Sequence, residues 1–199
     1  MAELFGPATA LSVHRLRAVF AHVRQDVVLH LDERAAVDGD PGARLHDGKV
    51  KLCDARVAME YLAERHGWQG AFSDRIDVRA RERDAIAAFD RNVLPAFEAS
   101  LRGEAMDGAT RKAVLTELRE LGQVAHATGY RTDSALALWT APAALRMHWL
   151  RDVSPFAAML GEWLELGSWL DAAAAQPAVA RTGPDRATVH LSLATARSA

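Results

Sequence analysis

The apolar periodicity changes once along this 199-residue chain, and that change limits what the chain can fold into. Up to about residue 67, short strand-like runs alternate with helical patterns. From Arg75 onward no stretch reads as a strand. Ala2 to Phe5 is a short apolar run, and Gly6-Pro7 after it is a turn signal. Leu16, Val19, Phe20 and Val23 recur at helical spacing, so residues 11–24 read as an amphipathic helix. Val27-Val28-Leu29-His30-Leu31 is short and β-branched, which predicts a strand. Asp32 to about Gly42 is polar and loop-like. Asp47-Gly48 lies between Ala43-Arg44-Leu45 and Val50-Lys51-Leu52, as a two-residue hairpin turn does. Asp54 to His66 places Val57, Tyr61 and Leu62 on one helical face, and Gly67 stands where such a helix stops.

The second half is helical throughout. Ile86, Phe89, Val93, Leu94, Phe97 and Leu101 mark a long amphipathic helix that Pro95 must kink or end. Val114, Leu118, Leu121 and Ala125 mark another. Ser134 reads as the N-cap of a helix from Ala135 to Leu150 that is apolar on nearly every face, which predicts a place in the middle of a domain. Trp163, Leu164, Trp169 and Leu170 belong to a further helix, and Gln176-Pro177-Ala178-Val179 opens a last short one. The predicted organisation is a mixed α/β domain over residues 1–67, a linker over 68–74 and an all-helical domain over 75–199.

Charge and composition narrow the function classes. With 24 basic and 26 acidic side chains and a net charge of −2, direct nucleic-acid binding and membrane-surface binding are not expected. No apolar run approaches the roughly 18 residues of a spanning helix. Met1 to Pro7 carries no basic region followed by a long apolar stretch, so no secretory signal is expected and the reading is cytoplasmic. Cys53 is alone, which excludes an internal disulfide and a Cys-x-x-Cys pair. His14, His22, His30, His46 and His66 fall at no metal-ligand spacing, so no metal is expected.

Specific residues then meet the order of elements. Val50 to Arg65, with Asp54 opening a helix that ends Tyr61-Leu62-Ala63-Glu64-Arg65, resembles the strand-to-helix segment of glutathione transferases. Leu136 to Leu145, with Ala141-Pro142, is similar to the central helix of that superfamily's second domain, and Gln176-Pro177-Ala178-Val179 resembles its ending. The resemblance implies a thioredoxin-like first domain, here reduced between Asp32 and Gly42, followed by a glutathione-transferase-type helical domain, and it implies a homodimer. Within the superfamily, Glu3-Leu4-Phe5-Gly6-Pro7, His14, Leu16-Arg17 and Arg56 to Leu62 resemble stringent starvation protein A, a bacterial protein of this fold that associates with RNA polymerase.

Two functional readings follow from the resemblance. A glutathione enzyme needs a hydroxyl or thiol at the start of the first helix, a cis-proline before the third strand, and an acidic residue with a serine at the third helix's start. Ser12 is the candidate for the first role, although a lone serine there more often caps a helix. Ala43 stands where the cis-proline belongs, and Pro41 would need a two-residue shift. Asp54 is the acidic residue, and Ala55 replaces the serine. With two of three requirements broken, the leading expectation is a non-enzymatic regulatory protein with no cofactor, contacting RNA polymerase or a sigma factor through Trp68, Gln69, Arg75 and Arg79. The alternative is a divergent glutathione transferase that uses Ser12, Ala43, Asp54 and Ala55. Stringent starvation protein A carries a Pro-His-Pro motif where this chain reads His66-Gly67-Trp68-Gln69-Gly70, a departure at the expected contact.

Overall fold

A computed structural model describes residues 1–32, 42–150 and 164–189. The chain divides into two compact units. The first comprises Met1–Gln69 and the segment that begins at Ala175; the second is built on Gly70–Ala174.

In the first unit, β1 (Ala2–Pro7), α1 (Leu11–His22), β2 (Val27–Asp32), β3 (Arg44–Asp47), β4 (Val50–Leu52) and α2 (Ala55–Arg65) follow in order. The sheet order is β2-β1-β3-β4, with β1 parallel to β2 and antiparallel to β3. The order strand, helix, strand, hairpin, helix is the one the sequence predicts. Two details differ. β1 runs through Gly6-Pro7, because both residues pair with the end of β2, Gly6 with Leu31 and Pro7 with Asp32. The hairpin turn is Gly48-Lys49, since Asp47 pairs with Val50. Only Gly48 of the two has a positive φ, 61°, the pattern of a type II′ turn.

Alternation along the strands sends opposite sets to the two faces of the sheet. Register partners Leu4 and Leu45 are fully buried, in one core with Val13, Leu16, Phe20, Met59 and Leu62 of α1 and α2. The other face carries Phe5 with His30 stacked on it at 4.4 Å and His46 tilted against it at 4.7 Å. Glu3 lies 3.3 Å from His30 Nε2 on that face. The segment from Asp32 to about Gly42, expected to be polar and loop-like, is largely outside the described residues.

Helix α2 ends as the sequence predicts and shows why Trp68 sits where it does. Gly67 N–H donates to Glu64 C=O and Trp68 N–H to Ala63 C=O at 2.9 Å, with Gly67 at φ 59°. This is a Schellman ending, in which the second residue past the cap turns an apolar side chain back onto the fold. Trp68 does so, with its ring 4.6 Å from that of His22.

The second unit contains α3 (Ile76–Ala88), a π-turn (Phe89–Val93), α4 (Leu94–Leu101), α5 (Gly108–Ala127), α6 (Ala135–Trp149) and α7 (Leu164–Ala174). Pro95 does not end the long helix: with no N–H it leaves the Arg91 carbonyl without an α-helical partner, and the backbone stays right-handed helical but widens into the π-turn just before it. Helix α6 is buried from Ala135 through Ala144, with Trp139 at 2% exposure and its indole N–H donating to Asp90 at 3.0 Å. Trp163 lies outside the described residues.

The chain from Ala175 carries α8 (Pro177–Ala180). It packs on α1 of the first unit, where His14 Nε2 meets Val179 C=O at 3.0 Å. The sequence reading assigned the whole of 75–199 to the helical domain. No local pattern signals that return, since the two residues are 165 positions apart.

Candidate functional site

Ser12 and Ala43 are brought together. Ala10 occupies the N-cap of α1 in an extended conformation, and its methyl group gives no side-chain cap. Ser12 is therefore not the capping residue. Its Oγ accepts the backbone N–H of Ala43 at 2.9 Å, joining the start of α1 to the start of β3. A proline at position 43 would have no N–H to donate. The residue that replaces it supplies one, and Ser12 satisfies it. All peptide bonds among the described residues are trans. Pro41, the shifted candidate, lies outside them.

Asp54 and Ala55 lie together at the start of α2. Asp54 is the N-cap, and its Oδ1 accepts from Arg56 N–H at 2.8 Å and Val57 N–H at 3.2 Å. Arg56 reaches the other oxygen at 3.7 Å. The carboxylate thus satisfies two of the helix's orphan donors. Cys53, just before it, is free and exposed. A neighbouring carboxylate does more for the fold than the sequence suggested: Asp47 accepts from Tyr61 Oη at 2.9 Å and pairs with Arg65 at 2.6 Å, tying α2 to the hairpin. Its signal was the spacing of Tyr61 and Arg65 along one side of α2.

The residues expected at a partner surface fall in both units. Trp68 and Gln69 close the first, while Arg75 and Arg79 lie in the second. Trp68 is half-buried against His22, and its indole nitrogen is buried with no acceptor among the described residues. Gln69 is exposed. Arg75 is exposed and paired with Asp77 at 2.7 Å, and Ile76 beside it is 75% exposed. Arg79 is half-buried on α3, where its charge acts on Glu82.

A cleft of about 580 Å³ opens beside the ends of β1 and β2, lined by Phe5, Pro7, His30, Asp32 and Arg44 among others. None of Ser12, Ala43, Asp54 and Ala55 lines it. Among the described residues no three His, Cys, Asp or Glu side chains group to hold a metal ion, and no helix is long and apolar enough to cross a membrane.

This architecture, a four-stranded mixed sheet with helices followed by an all-helical unit, is that of glutathione transferases. Glutathione transferase Omega 1C from Trametes versicolor superposes with a TM-score of 0.75 at 17% identity, over 99% of this chain and 96% of that one. Omega 2S from the same fungus gives 0.75 at 15%, over 100% and 97%. A glutathione S-transferase from the Antarctic clam Laternula elliptica gives 0.66 at 13%, over 96% and 99%. The sequence matches no protein-family profile and no curated protein. The chain has the glutathione transferase fold, with a thioredoxin-like first unit and a helical second one.

Proposed function

We propose that this chain uses the glutathione transferase fold as a non-catalytic interaction protein, with RNA polymerase or a sigma factor as its partner, a homodimer as its working form and the cytoplasm as its compartment. The observation that carries the non-catalytic part is the 2.9 Å bond from Ala43 N–H to Ser12 Oγ. The hydroxyl that a glutathione site would use is engaged by an N–H that a proline at position 43 would not have. Asp54 is likewise engaged in capping α2. The choice of polymerase rests on the likeness of the first strand and helix to stringent starvation protein A. The docking residues are Gln69, with Trp68 as a packed support, in the first unit and, separately, Arg75 and Arg79, beside the exposed Ile76, in the second.

A divergent glutathione transferase is the second reading, favoured by the fold of the structures just described and by the proton that Ser12 Oγ can still donate. One pair of measurements separates the two. Calorimetric titration with millimolar glutathione should give no saturable heat, and gel filtration with purified bacterial RNA polymerase should give co-migration that Arg75→Glu weakens. Saturable glutathione binding with conjugating activity lost in Ser12→Ala would establish the enzyme. Absence of co-migration would remove the polymerase.

A further inference from the structure

The chain entering the second unit is held residue by residue. Gly70 has φ 75°, and a Cβ there would collide with Arg131 Nη1, so the guanidinium lies directly on the glycine. Ala71 C=O accepts the N–H of Ala135, the first residue of α6, at 2.7 Å. The Phe72 ring lies beneath the Arg83 guanidinium, 4.5 Å from its centroid. Ser73 N–H donates to Glu82 Oε2 at 2.7 Å, and Ser73 Oγ accepts from Arg75 N–H at 3.2 Å. Beyond these anchors, residues 74–77 are exposed.

Glu82 is the centre of this arrangement. It is 1% exposed, and its one hydrogen bond among the described residues comes from Ser73. The cations whose charge acts on it are Arg131, from the turn after α5, and Arg83 and Arg79 on α3. Arg131 is itself shared with Asp133 at 3.0 Å. A carboxylate removed from water is tolerated only while donors and cations face it. Two of its three cations, Arg83 and Arg131, are the groups that lie on Phe72 and Gly70. The anchoring of the connector and the compensation of the buried charge therefore share two arginines.

We propose that residues 70–73 form a latch that opens as one unit, with Glu82 as its catch, while the helices of the second unit stay folded. Sub-global openings of this kind are read by amide hydrogen exchange. The reporting amides are Ser73, bonded to the catch, and Ala135, bonded to Ala71 two residues away. In Glu82→Ala both should lose protection together, by roughly tenfold or more, with the α5 amides of Leu118 and Leu121 unchanged. Arg131→Met, which leaves the Glu82 side chain in place, should move the same pair, and this keeps the idea testable if Glu82→Ala folds poorly. Loss at Ser73 alone would mean a single broken hydrogen bond and no latch. A uniform loss extending into α5 would mean general destabilisation, and would equally overturn it.

Discussion

Ser12 and Glu82 are both polar side chains that accept a single backbone N–H. Removing the Ser12 hydroxyl would leave the N–H of Ala43, a residue 2% exposed, without its partner. A buried donor left unsatisfied costs about 1–3 kcal/mol. Ser12→Ala should lower the denaturation midpoint by a matching amount, with an unchanged dependence on denaturant; no change would mean that water replaces the hydroxyl. Glu82 differs because it titrates. Burial raises its pKa above the ordinary 4.5, and the Ser73 N–H with Arg131, Arg83 and Arg79 only partly oppose that. The native carboxyl then binds its proton more tightly than the unfolded one, so the native state is favoured at low pH and this contribution is lost as pH rises from about 4.5 through the raised native value. Measured across that window, Glu82→Gln should flatten the fall in stability. An unaltered pH profile would remove Glu82 from the account.

At the scale of elements, helix ends decide both what was legible and what was not. The N-cap of α6 was readable at Ser134, which accepts from Ala137 N–H at 3.2 Å. The structure supplies another partner for the start of this helix: Ala135 N–H donates to Ala71 C=O, a bond from the connector that no helical pattern encodes. Asp54 was read from a family pattern as a ligand-binding residue, and in the structure it is the cap of α2. Asp54→Ala should therefore cost about 1 kcal/mol of stability, whereas Asp54→Ser, which keeps a capping oxygen, should cost much less. Equal losses in thermal melts would show that the carboxylate acts through charge. Pro95 and the Gly67 ending were legible because each acts through its own backbone. The Asp47–Tyr61–Arg65 tie was not singled out, because its partners come from different elements.

At the scale of the whole molecule, the sequence announces the change from mixed α/β to helical but not the return of the chain to its beginning. That return is built on close packing. Val179 is fully buried, and His14, at 1% exposure, meets its carbonyl from the first turn of α1. Gly183 follows in the same segment, and a Cβ on it would lie 2.8 Å from His14 Cε1. Its φ lies outside the left-handed region, so the constraint is space alone. The imidazole cannot swing aside without giving up its bond to Val179 and disturbing neighbours that are themselves buried. Gly183→Ala should therefore behave as an overpacked core, costing about 1–3 kcal/mol, although it lies 169 residues from the side chain it strikes. Pairing it with His14→Ala supplies the control, because the shortened side chain makes room for the methyl group. In a double-mutant cycle the two losses should then fall well short of additive. Strict additivity in calorimetric melts would mean that the segment after Ala175 does not rest on α1, and that the first unit folds without its carboxy-terminal cover.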